Sequence, residues 1–184
     1  MRTPCLGGIQ APLDSERVSG EIHTGGCLCG AIRYEVREPL SGSVYCHCRM
    51  CQRALGGPFS LAVPCARRGF RVLRGSPRYF QSSKIVKRGF CADCGAPLFY
   101  EPTIEAWSDW LGIWLGIWLG SFDDPETLPP EIHHGTESQL PWIEIPDGLP
   151  RAAYPEDFVG QHAKHESDPT RAAKWRVARG LPDA

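Results

Sequence analysis

Seven of the nine cysteines fall into three tight clusters: Cys27-x-Cys29, Cys46-x-Cys48-x-x-Cys51 and Cys91-x-x-Cys94. Thiolates at such spacings are the usual ligands of a borderline-soft metal such as zinc. Cys91-x-x-Cys94-Gly95 has knuckle spacing: two intervening residues let a tight turn aim both sulfurs at one ion, and the glycine lets the backbone turn away. Cys27-x-Cys29-Gly30 supplies two more ligands. Two plus two makes a closed, structural four-thiolate zinc site, whose binding energy adds directly to folding. The alternative is that these are scattered core thiols.

Cys46, Cys48 and Cys51 are then left without a cysteine partner. Three protein ligands and one open position is the arrangement of a catalytic zinc. A divalent ion with three thiolates carries a net charge of about −1, which makes it a poor Lewis acid but a good holder of an incoming thiol as thiolate. The chemistry predicted is attack by a metal-held thiolate on an electrophile such as an aldehyde. His47, between two ligands, is a candidate to orient them or relay a proton; a plain loop histidine is the bland alternative. The competing account of the trio is a second structural zinc closed by His23, His47 or His133. Cys5 and the buried-type Cys65 are expected to bind no metal.

The elements that must position these clusters are short. Gly 20 and Pro 17 in 184 residues predict many turns and a mainly β chain. Ile32, Tyr34 and Val36 alternate with Arg33, Glu35 and Arg37, as in a strand with one face buried. "SGSVYCHC" reads as a strand leading into the trio, and "CRMCQRALGG" as a short helix stopped at Gly56–Gly57. "FSLAVP", "FRVLRG" and the runs on either side of Cys91–Cys94 read as further strands. The tandem Leu-Gly-Ile-Trp in "LGIWLGIWLG" reads as a buried strand or bulged hairpin; a four-residue duplication keeps the side-chain alternation in phase. A partner patch of Trp110, Trp114 and Trp118 is the alternative. "DDPETLPPEIHHGTESQLPWIEIPDGLP" is expected to wrap the core without regular structure, and Asp168 to cap a terminal helix near 169–180.

Formal net charge is −1, and no aromatic-plus-basic RNA motif is present, which counts against a nucleic-acid partner. The charges are nevertheless segregated. Arg67 to Arg88 holds eight basic residues and no acid, while Gly89 to Pro150 holds acids and no Lys or Arg. That is either two faces that neutralise each other or a cationic wall for a small carboxylate ligand. The longest apolar run, Trp110 to Gly120, is shorter than the about 20 residues a membrane helix needs. No secretory signal pattern opens the chain, so the expectation is a cytoplasmic protein in which clustered cysteines mean metal rather than disulfides.

"GGCLCGAIRYEV", "YCHCRMCQRALGGPF", "KRGFCADCGAPLFY" and "GSFDDPETLPPEIHHGTESQLPW" follow one another in an order that resembles the glutathione-dependent formaldehyde-activating enzyme family, which includes centromere-protein-V-like proteins. The resemblance runs from about Gly20 to Pro155. It implies a zinc-stapled β-tent fold with two zinc ions per chain. The structural site would map onto Cys27, Cys29, Cys91 and Cys94, and the catalytic site onto Cys46, Cys48 and Cys51, the same division the spacing gives. It implies addition of glutathione to formaldehyde, giving S-hydroxymethylglutathione, a carbon–sulfur lyase reaction run in reverse. Where the family often carries tryptophan within "His-Ile-Trp-Thr-Glu-Ser", this chain has Gly135.

The glutathione carboxylates need cationic donors. The candidates are Arg49 and Arg53 beside the trio, and Lys84, Lys87 and Arg88 from the acid-free stretch. The expected organisation is an arm over 1–20, one zinc-binding domain over 21–155 and an extension over 156–184. The alternative function is a non-catalytic zinc module, acting as a thiol carrier or as a protein- or nucleic-acid-binding domain.

Overall fold

The computed structural model describes residues 21–83, 86–103 and 114–154. The arm over 1–20, Cys5, Lys84, Trp110 and the helix expected near 169–180 lie outside these residues.

Among the described residues eleven short strands and one α-helix follow one another: β1 (His23–Gly26), β2 (Arg33–Val36), β3 (Val44–Cys46), α1 (Arg49–Leu55), β4 (Ser60–Ala66), β5 (Phe70–Arg74), β6 (Arg78–Gln81), β7 (Val86–Phe90), β8 (Pro97–Pro102), β9 (Trp114–Trp118), β10 (Ile132–His134) and β11 (Arg151–Ala152). They form a three-stranded sheet, β1-β2-β5, and an eight-stranded sheet, β11-β10-β3-β4-β9-β8-β7-β6. The chain is mainly β, as its Gly and Pro content predicts. No helix among the described residues is long and apolar enough to cross a membrane.

Strand alternation gives the large sheet two different faces. Register places Val63 opposite Ile117, and Ile117 opposite Phe99. These three are fully buried and pack with Tyr34, Val36 and Phe70 of the small sheet to form the main core. Each such side chain contributes roughly 1.5–3 kcal/mol of burial energy. The residues one step along point the other way. Ala62, Trp118 and Tyr100 gather with Cys46, Cys48 and Cys51 under α1 in a second cluster. The Leu-Gly-Ile-Trp copy that forms β9 therefore sends Ile117 to the core and buries Trp118 against the cysteine trio, so Trp118 is no surface patch.

Two sequence expectations change. The proline-rich stretch after Asp123 is not wholly irregular: β10 lies parallel to β3, with His134 opposite Cys46, and β11 lies parallel to β10. Two- and three-residue strands leave no periodicity, and parallel pairing depends on a distant partner. Glu35, on the outward phase of β2, is buried because Arg37 and Arg71 both bond its carboxylate at 2.7 Å. The same pairing disposes of much of the segregated charge: Arg67 and Lys87 both bridge Glu101.

Candidate metal centres

The first centre joins two hairpin turns. Cys27 and Cys29 sit between β1 and β2, and Cys91 and Cys94 between β7 and β8, so the cluster ties the small sheet to the large one. All four sulfurs lie within 4.8 Å of one another, with Cys27–Cys29 at 3.6 Å and Cys29–Cys91 at 3.8 Å. A tetrahedral ion at metal–sulfur distances of about 2.3 Å would separate its ligands by about 3.8 Å. Backbone donors prepare the thiolates. The Ile32 N–H reaches Cys27 Sγ at 3.2 Å and, against the opposing effect of burial, draws that thiol below its ordinary value. Backbone bonds at Ala96 and Cys29 bring Cys94 down to about 6. Gly95, at φ 73°, makes the turn that the knuckle spacing requires.

The second centre is built by one strand end and one helix. Cys46 ends β3, Cys48 is the extended N-cap of α1, and Cys51 is buried one turn later. The helix stops where the sequence predicts, at Gly56 with φ 68°. Gln52 fixes α1 to its surroundings, donating to the carbonyls of His47 (2.6 Å) and Ser138 (3.0 Å). The three sulfurs lie within 4.8 Å of one another, and Cys46–Cys48 is 3.4 Å. Among the described residues no histidine nitrogen or carboxylate joins either cluster. The crowding holds protons unevenly. Bonds from Cys46 and Cys48 pull Cys51 well down against burial, with Arg88 adding to the effect. Cys48, despite its bond to Cys46, is pushed up to about 12 by Cys51 and by burial.

Of the basic residues expected near the trio, the structure brings Arg88 to it, and Lys84 lies outside the described residues. Arg88 points to the trio's face of β7, and its guanidinium lies 5.1 Å from the Tyr100 ring centre, 5.6 Å from that of Trp118 and 3.8 Å from Cys51 Sγ. Its Nη1 is buried with no hydrogen-bond partner. Lys87, one residue earlier, faces the other way, to Glu101 at 3.1 Å and the Tyr79 ring at 4.6 Å. Arg49 bonds Gln52 and, with Arg53, lines a cavity of about 320 Å³ on a different side of α1 from Cys48 and Cys51, walled by Leu140 and Trp142.

The histidines raised as possible ligands do other things. His23 bonds Asp124 at 3.3 Å. His47 is fully buried and nearly coplanar with His133, 13° between the ring planes, its Nε2 at 2.8 Å from His133 Nδ1; His133 Nε2 in turn lies 2.9 Å from Asp147 Oδ2. Burial and the neighbouring His133 hold His47 below its ordinary value. Tyr154 is the residue that sequence reading misses. Its hydroxyl lies 3.5 Å from Cys46 Sγ, yet it sits in a segment with no motif. Cys65 is buried in the main core and joins neither cluster; burial pushes its thiol up to about 12.

The family profile described as glutathione-dependent formaldehyde-activating enzyme matches residues 22–138. An uncharacterized lyase of Schizosaccharomyces pombe is 30% identical over 94 residues, covering 46% of this chain and 66% of that protein. The chain thus spans a little under two thirds of that relative's length. Two sheets, one short helix and two cysteine clusters, each able to hold a metal ion, accord with the profile match over most of the chain. The chain belongs to the glutathione-dependent formaldehyde-activating enzyme family.

Proposed function

We propose that the protein is a zinc-dependent carbon–sulfur lyase-type enzyme that adds glutathione, or a similar small thiol, to formaldehyde to give the S-hydroxymethyl thiol. The observation that carries this reading is the three-cysteine cluster beside Arg88, whose buried Nη1 has no partner. The all-sulfur donor sets and the sulfur separations suit zinc at both centres. Cys27, Cys29, Cys91 and Cys94 would hold the structural ion, and Cys46, Cys48 and Cys51 the second. Zinc at the second centre would keep a substrate thiol as its nucleophilic thiolate at neutral pH.

The chain's own residues do the rest. Arg88, steadied by Tyr100 and Trp118, offers its free N–H to anionic charge, either a glutathione carboxylate or the oxygen that becomes negative as the carbonyl is attacked. Trp118 and Tyr100 keep water from one side of the cluster. Overall, the sulfur–carbon bond forms, the carbonyl π bond breaks, and the thiol's proton ends on the new hydroxyl. Arg49 and Arg53 line a cavity that includes none of the three cysteines, so they are not assigned to the ligand's sulfur.

The test is titration of the cobalt-substituted protein with glutathione, followed by nuclear magnetic resonance of hydroxymethyl thiol formation. A new sulfur-to-cobalt band with a faster approach to equilibrium supports the enzyme. The band without a rate gain makes the protein a thiol carrier, and no band removes both readings.

A further inference from the structure

Residues 139–154 lie beyond the stretch that the family profile matches, but they are built into the trio. β11 is registered on β10, His134 opposite Ala152, and the Tyr154 N–H bonds Glu137 Oε2 at 3.1 Å. The Tyr154 ring then stands edge-on to His134, 5.7 Å between centres, and lies against Gly135. Gly135 has φ 67°, and a Cβ there would meet the Tyr154 ring and the Cys48 backbone nitrogen at 3.0 Å. The glycine therefore gives up its own side chain to a ring arriving from nineteen positions downstream (154 − 135). That ring is half-buried and packs against the cluster. A tyrosine phenol carries its proton at neutral pH, so at 3.5 Å its hydroxyl can donate to a Cys46 thiolate.

We propose that Tyr154 is the specificity and positioning residue of the three-cysteine centre: its hydroxyl donates to Cys46 Sγ, and its ring limits the ligands that join the cluster to unbranched thiols. The size filter rests on the function proposed above; the bond to Cys46 does not. An aromatic wall fixed by a parallel strand and a glycine has no slack for methyl groups on the carbon that bears sulfur. Glutathione and free cysteine carry a primary thiol and pass; penicillamine, which is cysteine with two methyls on that carbon, is excluded.

The experiment uses cobalt-substituted full-length protein, parent against Tyr154→Phe and Tyr154→Ala. The four-cysteine centre cancels in the difference spectrum. Tyr154→Phe keeps the ring and removes the donor, so the sulfur-to-cobalt band moves to longer wavelength before any thiol is added, with an unchanged melting temperature. Tyr154→Ala removes the wall, and the affinity for penicillamine relative to cysteine rises by about tenfold or more. An unmoved band in Tyr154→Phe, or an unmoved affinity ratio in Tyr154→Ala, overturns the proposal. If the parent takes up no thiol, the proposed function and the size filter fall together, and the band alone decides the Tyr154–Cys46 bond.

Discussion

His47 Nε2 stands 2.8 Å from His133 Nδ1, so two fully buried imidazoles share one hydrogen bond directly behind the three-cysteine loop. Asp147 accepts from the far nitrogen of His133, which fixes the tautomer of both rings. Three chain segments are thereby locked around Cys46 and Cys48. Asp147→Ala leaves a buried N–H unpaired and is expected to cost about 1–3 kcal/mol. Urea unfolding measures the loss. Zinc analysis should show the three-cysteine centre emptying while the four-cysteine centre stays filled.

The two centres should differ in structural weight. Cys94→Ser breaks the staple between the sheets, and the protein is expected to lose cooperative unfolding along with the metal of that cluster. Cys48→Ser is expected to lower the metal content by one ion per chain and leave the fold. A chelator should extract metal in two steps, with circular dichroism changing only in the second. Loss of the fold in the first step would reverse the assignment.

Gly135 admits no side chain. Gly135→Ala is strained at φ 67° by roughly 1–2 kcal/mol, and its methyl also meets the Cys48 backbone. Lower thermal stability and weaker metal retention at the trio should appear together; a neutral substitution would mean that Tyr154 moves aside freely.

Neighbouring cations on β7 should behave oppositely. Arg88→Met removes a charge-assisted donor at the trio, so glutathione affinity should fall by about ten- to a hundredfold, from about 1.5–3 kcal/mol. Lys87→Met, on the other face, should leave affinity within about twofold, since Arg67 still bridges Glu101. Equal effects from both would contradict the placement of Arg88.

Asp123 carries part of the acid sensitivity. The Arg33 bonds, then Thr24, hold its carboxyl below the ordinary range against burial. A depressed folded-state value means the stabilisation is complete above the unfolded value of about 3.9 and is lost as pH falls through the lower folded value. Asp123→Asn should therefore cost about 0.5–1 kcal/mol at pH 7, modest because both partners are partly exposed. Melting curves of the two proteins should converge as pH falls through the depressed folded-state value of Asp123.

The cysteine division was legible because ligand spacing is local: one or two intervening residues decide whether two sulfurs can converge, whatever the fold. The strand leading to Cys46, the helix ending at Gly56 and the alternation of Ile32, Tyr34 and Val36 were legible for the same reason. β10 and β11 were not, since segments of three and two residues acquire their pairing only from distant strands, β10 from β3 and β11 from β10.

Among the basic candidates, the sequence set five side by side and could not rank them; the described residues include four of them, and strand register separates two. Arg88 and Lys87 differ by one residue, and the pleat of β7 sends one to Cys51 and the other to Glu101. Arg49 lies on the same short helix as Cys51 yet faces a different cavity. Tyr154 shows the limit most sharply. Its contact with Cys46 spans 108 residues and depends on parallel strand register and on a glycine that makes room. The sequence by itself determined which atoms can bind metal and their division into a four-cysteine and a three-cysteine cluster. Only the tertiary structure decided which side chains surround the three-cysteine one, because that is set by sheet register and close packing between distant segments.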